Sequence, residues 1–255
     1  MATIIAIANQ KGGVGKSTTA VTLAAIEQQA GKRVLLIDSD SQKNSTDTLR
    51  AKSEGEATLY DLLTDEETTA EECIQHTASG IDIIAGDALL RDVDAKLTGV
   101  SGAYQLSERI QPITDKYDLI VIDCPPALNV LLTGALTAAT HVLVPVTADR
   151  YSVSGFAELT KTINEIRKYT NRNLKVAGVF VTRYTRSTLS STALQALPEL
   201  AKQLQSEALQ TVVRETVRVR EAQGARETLI SWAPECNAAQ DYMALAAELH
   251  AKEVL

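Results

Sequence analysis

The sequence predicts an α/β fold in which helices flank a doubly wound, mainly parallel β-sheet. Short runs rich in valine and isoleucine alternate with longer segments of helical periodicity, which is the pattern of parallel strands joined by crossover helices. Several of these runs are apolar almost throughout, as expected for strands covered on both faces. Hydrophobic residues make up 45% of the 255, enough to bury a substantial core. Because no repeat, low-complexity tract or flexible linker interrupts the pattern, we interpret residues 1–255 as one domain.

Six strands and two long helices are predicted with the clearest boundaries. The strands are expected at residues 3–9, 33–38, 81–85, 118–123, 141–146 and 175–182. The helices are expected at residues 17–30, where Gly31 would form the C-terminal cap, and at residues 152–169. Residues 41–80 are polar and only weakly periodic, which favours short helices at one edge of the sheet.

Composition limits the kinds of partner. The 25 Lys and Arg residues against 32 Asp and Glu give a formal charge of −7, so binding to a nucleic acid would need a local basic patch. Aromatic residues are 4% of the total, too few for a base-stacking platform. No apolar run is long enough for a membrane span or has the context of a signal peptide, so we expect a cytoplasmic protein. Three cysteines far apart in sequence favour free thiols over a disulfide framework or a zinc site.

A glycine-rich segment follows the first predicted strand. The string "NQKGGVGKSTTA" (residues 9–20) ends in the Gly-Lys-Ser of a phosphate-binding loop and leads into a predicted helix. In such a loop, backbone N–H groups close around phosphate oxygens and the positive end of the helix faces them. Lys16 would neutralise phosphate charge and Ser17 would ligate Mg²⁺, whereas the alternative is a glycine-rich turn with a chance lysine. The predicted nucleotide-binding residues of the loop are Gly12, Gly13, Val14, Gly15, Lys16, Ser17 and Thr18.

Two further predicted strands end in acidic residues. "LIDSD" supplies Asp38 and Asp40, and "IVIDCPP" supplies Asp123. Ligands of open α/β sheets bind beyond the carboxyl ends of the strands, where these side chains would lie. Each acid is either a loop residue that faces water or a ligand of Mg²⁺ or of a water molecule in the site. The preceding phosphate-binding loop favours the functional interpretation.

Four segments together resemble the motifs of one protein family. The strings "KGGVGKST", "RVLLIDSDSQKNST", "YDLIVIDCPPALNVLLTGALTAATHVLVPV" and "GVFVTRYTRSTLS" resemble, in order, those of ParA-type partition ATPases with a deviant Walker A P-loop. The resemblance is to the short, Soj-like form without an N-terminal helix-turn-helix, and it covers essentially the whole chain. Ser41 and Lys43 stand where the family usually has proline and glycine, whereas both aspartates of the motif are in place.

The resemblance implies roles for individual residues. The extra lysine of the loop, Lys11, would cross the interface of an ATP-sandwich homodimer and contact the nucleotide of the other subunit. Asp40 would orient the attacking water, Asp38 would support it, and Asp123 would be the Walker B acid that holds Mg²⁺. The cofactors implied are ATP and Mg²⁺, with Lys11, Lys16 and Asp40 as catalytic residues, Ser17 and Asp123 at the metal, and Asp38 and Thr182 as further nucleotide-site residues, Thr182 on the adenine side.

The same resemblance implies a DNA partition function. It predicts a weak ATP hydrolase that binds double-stranded DNA without sequence preference, associates with the nucleoid and is stimulated by a ParB-like centromere-binding partner. In residues 211–226 four arginines stand against two glutamates, a local basic excess within an acidic chain. Arg218 matches a DNA-contacting position of the family best, and Arg186 matches a second one. The predicted DNA-binding residues are Arg186, Arg214, Arg218 and Arg220.

Two alternatives belong to other functional classes. One is a spatial positioning ATPase for a protein or membrane-bound cargo, and the other is a carrier that handles a metallocentre or cofactor. Cys124 stands alone beside Asp123, whereas an iron–sulfur carrier needs paired cysteines. The final residues "ALAAELHAKEVL" are nearly neutral, unlike a basic amphipathic membrane helix. Both observations favour the partition ATPase.

Overall fold

The computed structural model describes residues 2–97, 99–147 and 152–255, and within these ranges eight strands form one sheet. The strands are β1 (Thr3–Ile7), β2 (Val34–Asp38), β3 (Ile74–His76), β4 (Asp82–Ile84), β5 (Leu119–Asp123), β6 (His141–Thr147), β7 (Lys175–Tyr184) and β8 (Ala208–Arg214). Their order across the sheet is β3-β4-β2-β5-β1-β6-β7-β8. All neighbours pair in parallel except β3 and β4, which are antiparallel. The predicted α/β fold with a mainly parallel sheet is confirmed.

The helices cover both faces of the sheet. They are α1 (Lys16–Gln29), α2 (Asn44–Thr48), α3 (Leu59–Thr64), α4 (Ala70–Cys73), α5 (Gly99–Ile110), α6 (Val130–Ala138), α7 (Ser152–Tyr169), α8 (Thr188–Gln203), α9 (Val217–Ala225), α10 (Leu229–Trp232) and α11 (Asn237–Ala251). Two 3₁₀ helices, Ala88–Ala95 and Gln111–Lys116, complete the set within the described ranges. None of the helices in the described part of the chain has the length and apolar character needed to cross a membrane.

All six predicted strands are present, and the two predicted long helices correspond to α1 and α7. Gly31 has a φ of 90°, the left-handed conformation expected of the cap after α1. Residues 41–80 contain the expected short helices α2, α3 and α4, together with the edge strand β3. Neither β3 nor β8 was predicted. Both lie at the edges of the sheet and are only partly buried, so they lack the continuous apolar pattern of the central strands.

Alternate residues of the central strands pack on opposite faces of the sheet. In β1, Ile5 and Ile7 join the core beneath α1 and α11, whereas Ile4 and Ala6 join the core beneath α5, α6, α7 and α8. All five residues of β5 are buried. A strand buried on both sides must be apolar throughout, which explains the uninterrupted run "LIVI" before Asp123.

The sheet topology brings the predicted acids to the glycine loop. The neighbours of β1 are β5 and β6, so the strand order reverses at β1 and opens a crevice at its carboxyl end. In the parallel register Asp123 lies opposite both Ile7, the last residue of β1, and Asp38, the last residue of β2. The loop after β1 and the acids after β2 and β5 therefore meet at one edge of the sheet.

Candidate functional site

The glycine loop connects β1 to α1 through two left-handed residues. Gly13 and Gly15 have φ values of 75° and 85°, a conformation that side chains rarely tolerate. Gly15 is the N-cap of α1, and Lys16 is the first helical residue. The turn thus directs the N-terminal end of a 14-residue helix toward the space enclosed by the loop, where an anion would be stabilised.

Lys16 is held inside the loop rather than in solvent. Its side chain is buried, and its Nζ donates to the carbonyl oxygen of Lys11 at 3.1 Å. Burial lowers the pKa of Lys16, while the nearby Asp123, Cys124 and Asp40 act in the opposite direction. The ammonium group is therefore fixed between the loop and the strand-end acids, in position to meet phosphate charge.

Asp38 is bound by the loop that follows it. Its Oδ2 accepts from the amide and the hydroxyl of Thr46, both at 2.8 Å, and its Oδ1 accepts from the amide of Asp40 at 3.2 Å. Burial and the charge of Asp123 raise the pKa of Asp38 to about 8. A Cβ on Gly86 would lie 2.9 Å from the Asp38 carbonyl oxygen, so the close approach requires glycine there. The carboxyl group of Asp38 thus shapes the loop that carries Asp40.

Replacing Thr46 with valine is expected to lower the free energy of unfolding by roughly 2 kcal/mol, because the buried carboxyl group of Asp38 and a buried amide each lose a partner. The Thr46 hydroxyl donates to Asp38 and accepts from the amide of Gly86 at 2.8 Å. Thr48→Val is the matched control in the same helix, since that hydroxyl bonds the Asn44 carbonyl at the surface. Urea denaturation compares the two variants, and equal stability would contradict the role given to Thr46.

Asp123 has one carboxylate oxygen satisfied and one without a partner. Its Oδ2 accepts from the Ser45 hydroxyl at 2.8 Å, whereas the buried Oδ1 has no hydrogen-bond partner within the described part of the chain. Burial raises the pKa of Asp123 to about 6, opposed by the hydroxyls of Ser17 and Ser45 and by the charge of Lys16.

An unpartnered carboxylate oxygen beside the Ser17 hydroxyl fits a hard divalent cation with oxygen ligands. Mg²⁺ characteristically takes one or two protein oxygens and completes its shell with water and phosphate oxygens. Within the described ranges no three His, Cys, Asp or Glu side chains are grouped to hold a metal. The donor set at Asp123 and Ser17 therefore suits a cation that arrives with a nucleotide, and metal binding by these two residues stays a prediction.

Asp40 lies on the wall of a cavity that adjoins the loop. The cavity has a volume of about 460 Å³ and includes Gly12, Lys16 and Ser17 in its lining. Asp40 is buried except for 7% of its surface, and its Oδ1 accepts from the amide of Gln42 at 3.0 Å. It is thus positioned toward the cavity by the turn after β2. Its role toward an attacking water stays a prediction.

Lys11 turns toward the end of β6 within its own chain. Its Nζ lies 3.5 Å from the hydroxyl of Thr147, and its amide donates to the side chain of Asn9 at 2.9 Å. The Asn9 amide group in turn donates to the carbonyl of Pro145 at 2.7 Å, which fixes the start of the loop against β6. Contact with a second subunit's nucleotide stays a prediction.

Thr182, near the end of β7, contacts the backbone of the glycine loop. It is 1% exposed, and its hydroxyl lies 2.7 Å from the Val14 carbonyl oxygen and 3.2 Å from that of Val146. A Cβ on Gly15 would lie 3.8 Å from the Cβ of Thr182, which is an ordinary van der Waals distance. The backbone of Gly15 therefore lies close to the Thr182 side chain. Thr182 also lines the cavity, and its predicted contact with adenine is untested.

The sequence did not single out several residues that complete the site. Arg183 has a φ of 52°, donates to the Gly13 carbonyl at 3.2 Å and pairs with Glu215 at 3.0 Å. Gln223 of α9 donates to the hydroxyl of Thr18 at 3.3 Å. A signal for Arg183 exists in the sequence, because it directly follows a predicted strand end at the same edge as the glycine loop.

The four arginines predicted to bind DNA do not lie together. Arg214 and Arg220 line the cavity, and Arg214 forms a two-pronged ion pair with Asp241, the shorter contact being 2.7 Å. Arg186 is exposed in the turn after β7, and Arg218 is exposed on α9, paired with Glu221 at 2.7 Å. Neither of these two lines the cavity. All four arginines are thus exposed, but two of them lie at the cavity and two lie away from it.

Two arginines join α2 to α9. Arg50, after the end of α2, donates to the carbonyls of Ala225 and Arg226 at 3.0 Å each. Arg226, at the end of α9, donates to the carbonyl of Asp47 in α2 at 2.9 Å. Each guanidinium thus caps the C-terminal end of the other helix. We call this arrangement the reciprocal cap.

A strand, a glycine loop and a helix with a buried lysine beside paired aspartates define a P-loop nucleotide hydrolase. The AAA domain family matches residues 2–176. The chain is 35% identical to the sporulation initiation inhibitor protein Soj of Bacillus subtilis over 98% of its length and 99% of that protein. It is also 35% identical to the chromosome partitioning protein ParA of Caulobacter vibrioides, over 98% and 94% of the two chains. The chain therefore belongs to the Soj/ParA family of P-loop ATPases.

Solved structures share this fold. Apo McdA from Cyanothece superposes with a TM-score of 0.88 at 25% identity, covering 98% of this chain and 100% of that one. Cobyrinic acid a,c-diamide synthase from Mycobacterium smegmatis, with bound ATP analogue and magnesium, gives a TM-score of 0.84 at 27% identity, over 97% and 93% of the chains. ATP hydrolysis is the expected activity, with ATP and Mg²⁺ as cofactors.

Proposed function

We propose that this protein is a DNA partition ATPase that acts in plasmid or chromosome segregation as a single ATPase domain of residues 1–255. ATP promotes homodimerisation, the dimer binds double-stranded DNA without sequence preference, and a ParB-like partner stimulates hydrolysis and release. The proposal places the protein in the cytoplasm on the nucleoid. The observation that carries it is the cluster of Asp123, Ser17 and Lys16, of which Ser17 and Lys16 line the cavity, in a chain similar over nearly its whole length to Soj and ParA.

The residues of the site perform the reaction mainly by position and charge, since phosphoryl transfer needs little covalent participation by the protein. Loop amides and the N-terminal end of α1 hold the phosphates, and buried Lys16 neutralises their charge. Asp123 and Ser17 would hold Mg²⁺, which supplies charge neutralisation across the phosphate oxygens. Ser45 keeps the Asp123 carboxylate in one orientation through its 2.8 Å hydrogen bond. Asp40 orients the attacking water from the cavity wall.

Lys11 adds the step that needs two subunits. A cation that reaches the phosphates of the opposing subunit would stabilise charge that develops during transfer, in the way an arginine finger does. Because each site would be incomplete until the second copy arrives, hydrolysis by a monomer is expected to be slow. The partner protein then sets the rate of the cycle.

Reversing the charges of Arg186 and Arg218 to glutamate is expected to abolish DNA binding by the ATP-bound form. Both side chains are exposed outside the cavity, and two copies in a dimer would present four arginines to the phosphate backbone. The Arg218 contact with Glu221 is at the surface and would exchange for phosphate at little cost. Gel-shift titrations in ATP, in ADP and without nucleotide measure the effect at two salt concentrations.

The matched control for this variant is Lys161→Glu with Arg172→Glu, which changes the net charge equally at other exposed positions. DNA binding by the wild type is expected to need ATP, to fall steeply with salt and to show little sequence preference. Undiminished binding by the Arg186 and Arg218 variant would locate the DNA surface elsewhere. No wild-type binding in any nucleotide state would favour a positioning ATPase that acts on a protein or membrane-bound cargo.

A further inference from the structure

Helix α9 presents different side chains on its different sides. Val219 and Arg220 lie four and three residues before Gln223, which places both beside Gln223 on the helix surface, and all three line the cavity. Ala222 packs in the core with 2% of its surface exposed. Arg218 does not line the cavity. Arg218 and Arg220 therefore lie in different surroundings, although they are only two residues apart: Arg220 is at the cavity and Arg218 is away from it.

Three arginines line the cavity, and two of them have carboxylate partners. Arg183 pairs with Glu215 at 3.0 Å, and Arg214 pairs with Asp241 at 2.7 Å. Arg220 is exposed at the cavity and forms no hydrogen bond or ion pair with any residue that the structure describes. A guanidinium group stays charged and offers five donors, so a partner anion in the cavity would stabilise it.

The neighbouring turn of α9 shows which part of the cavity this face approaches. Gln223 donates to the hydroxyl of Thr18 at 3.3 Å. Thr18 lies two residues after Lys16, the lysine of the phosphate loop. Arg220 lies one turn before Gln223 on the same face. We propose that Arg220 binds the phosphate groups of the nucleotide, so it belongs to the nucleotide site and not to the DNA surface. This inference rests on the ATP site of the proposed function.

Replacing Arg220 with glutamine is expected to weaken Mg²⁺-ATP binding about 10-fold, since a charge-assisted contact to phosphate is lost. Arg220→Lys is expected to recover part of the affinity, because it keeps the charge. Arg172→Gln is the matched control, an exposed arginine away from the cavity. Isothermal titration calorimetry without DNA gives the dissociation constants, and thermal unfolding without nucleotide is expected to be the same for all four proteins.

The outcomes separate this inference from the proposed function. ATP affinity equal to that of the wild type in Arg220→Gln would overturn it, as would a loss of DNA binding without any change in ATP affinity. If Arg220→Lys bound ATP no better than Arg220→Gln, the charge would not be what binds ATP. That result would indicate a stacking contact of the planar guanidinium and would overturn the proposed phosphate contact. A wild-type protein that bound no ATP at all would overturn the proposed function as well.

Discussion

Replacing Asp40 with alanine is expected to stop ATP hydrolysis while ATP stays bound. The carboxylate is on the cavity wall and its Oδ1 is held by the amide of Gln42 at 3.0 Å, so it can orient a water without being needed to grip the phosphates. Removing such a group lowers the rate of hydrolysis by roughly 100-fold or more. The ATP-bound dimer would then accumulate, which size-exclusion chromatography with light scattering would detect.

Two further variants define the cause. Asp40→Asn keeps an acceptor for the Gln42 amide but removes the charge, so it is expected to behave like Asp40→Ala. Asp115→Ala removes an exposed acid in the 3₁₀ helix Gln111–Lys116 and serves as the matched control. Phosphate release in a single-turnover assay gives the rates. An Asp40→Ala protein with the same mass in ATP and in ADP would count against the sandwich dimer.

Replacing each of the two loop lysines with alanine is expected to impair a different step. Lys16→Ala should reduce ATP affinity by roughly 100-fold, because a buried ammonium that faces the phosphates is lost. Lys11→Ala should bind ATP as a monomer with little change, yet dimerise and hydrolyse poorly, since the Lys11 ammonium group lies at Thr147 rather than inside its own loop. Titration with a fluorescent ATP analogue measures the first effect, and light scattering measures the second.

Lys161→Ala is the matched control for both lysine variants, since this exposed residue of α7 pairs with Glu165 at the surface, at 4.0 Å. Thermal unfolding without nucleotide checks that each variant folds. An equal loss of ATP affinity in Lys11→Ala and Lys16→Ala would contradict a role for Lys11 across the interface.

The parts of the molecule that depend on local sequence could be predicted from it. The segment from β1 through the glycines to α1 is continuous in the chain. The central strands are recognisable in the sequence because each is an unbroken apolar run. Asp38 and Asp123 were identifiable because each ends such a run, and the parallel register then places them side by side. These predictions needed no knowledge of how distant segments meet.

The remainder depends on contacts between segments far apart in sequence. The bond from Ser45 to Asp123 joins a loop after β2 to the end of β5, and no local pattern specifies it. Lys43 adopts a φ of 57°, a conformation that favours glycine, at the position where the family usually has glycine. The direction of Arg220 follows from the rotation of α9 about its axis, and this short helix has little apolar periodicity in sequence to reveal that rotation.

The reciprocal cap joins the C-terminal ends of α2 and α9 by direct hydrogen bonds. Arg50 and Arg226 both have left-handed backbones, with φ values of 57° and 54°, at places where glycine would relax the chain but supply no side-chain donor. Three hydrogen bonds tie the two helix ends together across more than 170 positions of sequence. The reciprocal cap therefore connects α2, which carries Ser45, directly to α9 without passing through the sheet.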